Sequence, residues 1–241
     1  MGISIDIYLA IIAVCVAGLI RGFSGFGAGM VLVPSLSVLY SPLIAVITVV
    51  LLEIIPIVQL LPAAISKCEW RSVIPMAVAS ILMIPIGSVV LINTDPDIMR
   101  LAIAILLLLG VGVLLTGWRY KGEFNVWTSS PTGMVSGFIS GATSLGGLPV
   151  VLYYLSGKQS QSVIRASIVV FLVIATLMSL ISYSSLGVIS KDIVLRTLLF
   201  IPFFIVSILI GGRLFGKVSD IIFRRITLLI IVSASFTMLF T

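Results

Sequence analysis

The sequence predicts an all-α integral membrane protein built as an inverted repeat, each half a broken-helix hairpin plus three transmembrane helices. About eight long helical segments are expected in all. Three observations lead to this prediction: an apolar composition interrupted by short polar loops, a glycine-rich segment that occurs twice, and an uneven distribution of lysine and arginine. Inverted repeats whose broken helices meet near the middle of the bilayer are the plan of many secondary transporters.

Composition excludes several classes of protein. Of the 241 residues, 60% are hydrophobic and 9% are charged, and the mean hydropathy is +1.34. Charged residues make up about 25% of a typical soluble domain, and the long apolar runs favour membrane helices over barrel strands. The net charge of +6 does not indicate nucleic acid, because lysine and arginine in membrane proteins mostly mark loops facing the cytoplasm. With no histidine and two cysteines, no metal site, cofactor or enzymatic activity is expected.

The first glycine-rich segment lies between Arg21 and Pro34. Each of its glycines weakens a helix by about 1 kcal/mol relative to alanine. In lipid, the backbone groups that a broken helix exposes need partners from protein or from water in a cavity. This break is therefore a candidate site for a polar ligand. Its glycines are Gly22, Gly25, Gly27 and Gly29.

A second segment with the same layout begins at Gly137 and ends at Pro149. Both copies open with Gly-Phe, and in both a proline follows the first glycine after twelve residues. The sequence thus predicts a first membrane repeat over 1–118, a cytoplasmic linker over 119–130 and a second, inverted repeat over 131–241. The glycines of the second copy are Gly137, Gly141, Gly146 and Gly147.

Charge distribution supports opposite orientations of the two halves. If each half is one hairpin followed by three spans, ten lysines and arginines fall on one side, three on the other, and Arg21 at the break. Eight plain spans would give six against seven. The positive-inside rule favours the hairpin arrangement, with both termini outside. The three cations on the outer side are Arg100, Lys191 and Arg196.

The half-helices after the breaks are predicted to begin at Met30 and Leu148. Helix N-termini are partly positive and present free N–H groups, so the two breaks are predicted to bind an anion. The alternative interpretation, left open here, is that the glycines serve only close helix packing and that the aromatic residues are core. Side chains that would add donors or walls to the site are Phe23, Ser24, Phe26, Ser140, Thr143 and Ser144.

Four longer polar side chains are further candidates. Arg21 and Arg165 are predicted either to supply charge to the anion site or to snorkel towards the membrane surface. Glu53 is the only acidic residue well inside an apolar span, in a helix predicted over 43–64. It is predicted to carry a coupling proton or to pair with Arg21. Gln59 lies in the same helix and is a candidate lining residue.

The repeated pattern resembles a known family. Gly22-x-x-Gly25-x-Gly27-x-Gly29 followed by Pro34, with its second copy, is similar to the signature of the TauE/SafE sulfite exporters, and the similarity extends over the whole chain. Trp70-Arg71 before a proline-containing span and the run from Ile164 to Ser167 also resemble this family. The resemblance implies a multi-pass transporter of sulfite, sulfonates or related anions in a prokaryotic inner membrane, with substrate at the two glycine regions.

These observations lead to one main hypothesis and two alternatives. The main hypothesis is a secondary active transporter with a small-molecule anion as substrate, the lipid bilayer as surroundings, no nucleic acid partner and no cofactor beyond a coupling proton. An anion channel, or a permease for another small organic anion, is the first alternative. A purely structural subunit is the second. A homodimer is left open.

Overall fold

A computed structural model describes residues 5–116, 125–154, 160–214 and 220–239, with side chains described there except at 58–60, 114, 220–228 and 239. These ranges contain eleven α-helices and no strand. The helices are α1 (Ile5–Ser24), α2 (Ala28–Leu39), α3 (Pro42–Leu52), α4 (Ile54–Ile65), α5 (Trp70–Asn93), α6 (Pro96–Thr116), α7 (Val126–Thr143), α8 (Gly147–Tyr154), α9 (Gln161–Ser185), α10 (Lys191–Leu214) and α11 (Asp220–Leu239).

Five of the described helices are long and apolar enough to cross a membrane, namely α1, α5, α6, α9 and α10. The two helices that follow the glycine breaks are much shorter. The twelve residues of α2 and the eight of α8 extend roughly 18 and 12 Å, about half the hydrocarbon thickness or less. The prediction of half-helices after both breaks agrees with these lengths.

The helix predicted over 43–64 is interrupted at Glu53. The structure has two helices there, because α3 ends at Leu52 and α4 begins at Ile54, with Glu53 as a turn between them. Pro56 explains the interruption. It has no N–H to donate to the carbonyl of Leu52, four residues earlier, and its ring is excluded from that position of a regular helix.

Helix α7 begins at Val126, inside the segment 119–130 that the sequence predicts as a linker. Asn125 caps this helix. Its Oδ1 accepts a hydrogen bond from the backbone N–H of Thr128 at 3.0 Å, and its own N–H donates to Thr128 Oγ1 at 3.3 Å. This reciprocal capping box stabilises a helix start that hydrophobicity alone does not mark.

The chain forms two compact units, and each takes segments from both halves of the sequence. The first unit comprises Met1–Leu52, Thr94–Val113 and Ser190–Thr241. The second comprises Glu53–Asn93 and Leu114–Ile189. One glycine break therefore belongs to each unit.

Glycines allow the closest helix contact within the first unit, between α1 and α10. A Cβ on Gly18 would lie 2.7 Å from Ser207 Cβ and 3.0 Å from the carbonyl oxygen of Phe204. A Cβ on Gly22 would collide with the backbone of Ile208. This Gly-x-x-x-Gly spacing places both residues on one helix face, where small residues let two backbones approach.

The second unit uses the same device between α7 and α5. A Cβ on Gly137 would lie 2.5 Å from the carbonyl oxygen of Ser80, and one on Gly141 would collide with the backbone of Ile84. Three glycines of α7 at four-residue intervals line this contact: Gly133, Gly137 and Gly141. At Gly22, Gly137 and Gly141 the close-packing interpretation therefore describes the observed geometry.

Candidate functional site

The first break is shorter than the glycine-rich segment around it. Helix α1 continues through Gly22 to Ser24, and α2 begins at Ala28, two residues before the predicted start. Gly25 and Gly27 have φ angles of 82° and 93°. These left-handed conformations strain any residue with a Cβ, so the break needs glycine at both positions. Break 1 is therefore the segment 25–27, and Gly29 already lies inside α2.

Arg21 lies in the last turn of α1 with only 3% of its surface exposed. Its Nη1 donates a hydrogen bond to the carbonyl oxygen of Gly25 at 2.5 Å. The guanidinium therefore satisfies the carbonyl of the first residue after α1, and its positive charge interacts favourably with the negative end of the helix dipole. The snorkelling alternative does not describe this side chain, because its burial keeps it away from an aqueous surface.

The Ser24 hydroxyl is used inside break 1. It donates towards the carbonyl oxygens of Phe26, at 2.5 Å, and Ile20, at 2.7 Å. Phe23 is 4% exposed and Phe26 is half-buried, so both aromatic rings lie close to the break. Ser24 thus stabilises the turn, and its hydroxyl would bind a ligand only while it also serves these backbone hydrogen bonds.

The second break is displaced by one turn relative to the first. Helix α7 continues to Thr143, Ser144 is left-handed with a φ of 58°, and α8 begins at Gly147, one residue before the predicted start. The start of α8 precedes Pro149 by two residues, whereas the start of α2 precedes Pro34 by six. Break 2 is therefore the segment 144–146, and the two copies are not superimposable in detail.

Hydroxyl groups hold break 2 together. Thr143 Oγ1 donates to the carbonyl oxygen of Ile139 at 2.8 Å and accepts from the N–H of Leu145 at 3.3 Å. The fully buried Ser136 donates to the carbonyl oxygen of Gly146. Gly146 lies so close to α7 that a Cβ there would collide with Ser140 Oγ. The predicted residues Ser140, Thr143, Ser144 and Gly146 therefore lie close together at break 2.

Two residues at break 2 were missed by sequence reasoning, Ser136 and Tyr183. Tyr183 is fully buried in α9, and its hydroxyl donates to the carbonyl oxygen of Gly141 at 2.6 Å. This carbonyl lies in the last turn of α7, where helical N–H partners run out. Ser136 occupies the position before the first glycine, which Arg21 occupies in the first copy. That alignment was an available signal, whereas nothing in the sequence pointed to Tyr183.

The far end of half-helix α8 is bound by a second set of hydroxyl contacts that the sequence did not reveal. Tyr154 Oη lies 2.7 Å from Ser72 Oγ of α5, which in turn donates to Glu69 Oε2 at 2.8 Å. Tyr153 Oη lies 2.9 Å from Ser129 Oγ of α7. These contacts join α8 to two neighbouring helices and so position the helix whose first residue follows break 2.

The other predicted residues lie outside the breaks themselves. Arg165 is half-buried in the second turn of α9, and Glu53 is half-buried in the turn between α3 and α4. The Gln59 side chain lies outside the described residues. These three positions stay predictions.

Each break brings positive or hydrogen-bonding groups close to the start of a short helix. At break 1, these groups are the partly positive N-terminus of α2 and the guanidinium of Arg21. At break 2, they are the N-terminus of α8 and the hydroxyl group of Thr143. Within the described ranges, no group of three or more histidine, cysteine, aspartate or glutamate side chains is placed to hold a metal ion.

Comparison with known proteins identifies one family. The family model described as Sulfite exporter TauE/SafE matches residues 10–238, nearly the whole chain. No curated protein matches the chain, and no solved structure does.

Proposed function

The chain belongs to the sulfite exporter TauE/SafE family, and from this premise we propose that it is a secondary active transporter of small sulfur-containing anions. Sulfite, thiosulfate and sulfonates are the proposed substrate class. The proposed binding groups are, in the first unit, the backbone amides at the start of α2 and the guanidinium of Arg21 and, in the second unit, the backbone amides at the start of α8 and the hydroxyls of break 2. The family and the five candidate spans make the chain a multi-pass membrane transporter.

The observation that best supports an anionic substrate is the buried charge at break 1. Arg21 is 3% exposed, and the segment 25–27 separates it from the positive end of α2. Two positive groups on either side of one short segment attract an anion more strongly in a low-dielectric environment than in water. An anion bound at the break would interact favourably with both.

Reciprocal helix pairing supports the proposed repeat. In the first unit α1 packs on α10, and in the second α7 packs on α5. If α7 to α11 repeat the plan of α1 to α6, then α7 corresponds to α1 and α10 to α5. The two pairings are then equivalent, and each uses glycines at four-residue intervals. Two repeats with the same fold are expected to show this pattern, in which a helix of each half packs on the equivalent partner from the other half.

The inverted orientation can be tested by sided labelling. Single cysteines at Lys67 and Lys158 are expected to react with a membrane-impermeant maleimide from the same, cytoplasmic side. Labelling from opposite sides would exclude the inverted repeat without excluding transport.

The proposed transport cycle is alternating access, in which the bound anion is exposed to each side of the membrane in turn. Export of an anion is driven by the membrane potential and needs no coupling ion. Uptake would need a coupled proton, for which Glu53 is the proposed carrier. Uptake that is unchanged by Glu53→Gln would remove that role.

Counterflow in proteoliposomes tests the function. Vesicles loaded with unlabelled sulfite should accumulate external radiolabelled sulfite transiently, because a carrier exchanges substrate across the membrane. Thiosulfate and sulfoacetate inside should also stimulate uptake, and acetate should not. Absence of any counterflow together with large single-channel currents would replace the carrier with an anion channel.

A further inference from the structure

A groove in the first unit lies apart from both breaks and is lined mainly by apolar side chains, with the hydroxyls of Ser35, Ser233 and Thr237 among them. Its volume is about 390 Å³. Helix α2 forms its floor, with Pro34 and Val38, and α1 and α11 form its walls, with Ile12 and Ala234 among them. The groove therefore borders α2, the half-helix that follows break 1.

The groove is continuous with an exposed apolar surface. On α1, Leu9 is 48% exposed and Ile12 59%. On α11, Leu229 is 69% exposed and Phe236 50%. In a multi-pass membrane protein, exposed apolar side chains of this size on spanning helices face lipid. The molecules that reach the groove are therefore those of the bilayer.

The volume of the groove limits which of these molecules fits into it. A further helix of twelve residues and about 10 Å diameter would occupy on the order of 1,400 Å³, several times the groove volume. An extended hydrocarbon chain is much narrower than a helix. The space is thus suited to an acyl chain and not to a helix from another protein chain.

A charged side chain lies at one end of the groove. Leu39, which lines the groove, is followed by Tyr40, and the exposed guanidinium of Arg196 lies 4.6 Å from the centre of the Tyr40 ring. The exposed Asp6 carboxylate is also in electrostatic range of Tyr40. The charge pattern predicts that Arg196 lies on the outer side of the membrane. It predicts the same side for the start of α1 and the end of α11.

We propose that this groove binds one glycerophospholipid of the outer leaflet, with an acyl chain along α2 and its phosphate at Arg196. The chemistry of the two ends matches that of the lipid: an apolar channel leads to a guanidinium that forms charge-assisted hydrogen bonds with phosphate. The proposal concerns lipid binding alone, so it stands or falls independently of the transported substrate.

Native mass spectrometry of the purified full-length chain with phosphatidylethanolamine tests the proposal. The wild type is expected to retain one lipid through detergent washing. Ala234→Phe fills the groove and should lower the retained fraction about tenfold, or about 1.4 kcal/mol. Ala102→Phe is the matched control, because Ala102 is exposed on α6 away from the groove, and it should behave as the wild type. Arg196→Gln should weaken retention. Equal retention by Ala234→Phe and the wild type would overturn the proposal.

A second measurement on the unchanged chain avoids any effect of mutation on folding. A phosphatidylethanolamine with a photoreactive diazirine in its acyl chain should label residues 9–16, 31–39 and 230–237 preferentially. Labelling spread equally over the exposed face of α6, at 101–109, would show only a general lipid annulus and would contradict a specific site.

Discussion

Substitution of Gly137 by alanine separates close helix packing from a direct ligand role. The added Cβ would lie 2.5 Å from the carbonyl oxygen of Ser80 and 2.6 Å from its Cα. Ordinary contact needs about 3.4 Å or more, so α5 and α7 would have to separate by about 1 Å. Both atoms belong to helix backbone and cannot move aside as a flexible side chain would. Overpacking of this kind costs about 1–3 kcal/mol.

Helix propensity acts in the opposite direction. Alanine is favoured over glycine in a helix by about 1 kcal/mol. Gly112 of α6 provides the matched control, since an added Cβ there meets no atom within 4 Å. We therefore expect Gly112→Ala to raise stability by up to about 1 kcal/mol, and Gly137→Ala to be about 1–3 kcal/mol less stable than Gly112→Ala, or roughly 2–12 °C lower in apparent melting temperature.

The assay is thermal unfolding of both purified variants in one detergent, followed by tryptophan fluorescence. If Gly137→Ala were as stable as Gly112→Ala, the close approach of α5 and α7 would be wrong. A stable Gly137→Ala protein that had lost sulfite binding would instead assign this glycine to the site.

Three further predictions concern the hydroxyl contacts and one thiol. Tyr183→Phe leaves the Gly141 carbonyl without its donor and should lower stability by about 1 kcal/mol, measured by thermal unfolding. Ser72→Ala and Tyr154→Phe should couple by about 0.5 kcal/mol or more in a double-mutant cycle, and strict additivity would contradict their contact. Burial raises the pKa of the Cys68 thiol, so at neutral pH it holds less thiolate than an exposed cysteine. Two chains are compared, both with Cys15→Ser: one keeps Cys68, and the other carries Cys68→Ser with Lys67→Cys. Maleimide should modify Cys68 more slowly than the cysteine at position 67, and the rate at Cys68 should rise with pH. Equal rates at neutral pH would contradict this.

The features that the sequence predicts well are those with a local physical cause. Apolar runs locate the spans, and the left-handed glycines Gly25 and Gly27 are found where the pattern placed a break. The split at Glu53 also has a local signal in Pro56, which the long apolar run obscured. Hydrophobicity and helix-breaking residues thus predict helices and their interruptions best when each segment of the chain is considered separately.

The features that the sequence did not predict join residues far apart in the chain. Ser72 and Tyr154 are 82 positions apart in the sequence, and Tyr183 and Gly141 are 42 positions apart. A serine or tyrosine in an apolar helix gives no indication of its partner, because the pairing follows from which helices pack together. That packing exchanges helices between the halves, so proximity along the chain was no guide to it.

Calorimetric titration of sulfite into the purified protein tests the central claim most directly, comparing the wild type with Arg21→Gln. Arg71→Gln is the control, since it removes an exposed arginine with the same charge. The wild type and Arg71→Gln are expected to bind sulfite saturably, and Arg21→Gln is expected to bind it at least about tenfold more weakly, because a charge-assisted hydrogen bond is lost. Undiminished binding of sulfite by a folded Arg21→Gln protein would contradict the assignment of the anion to break 1.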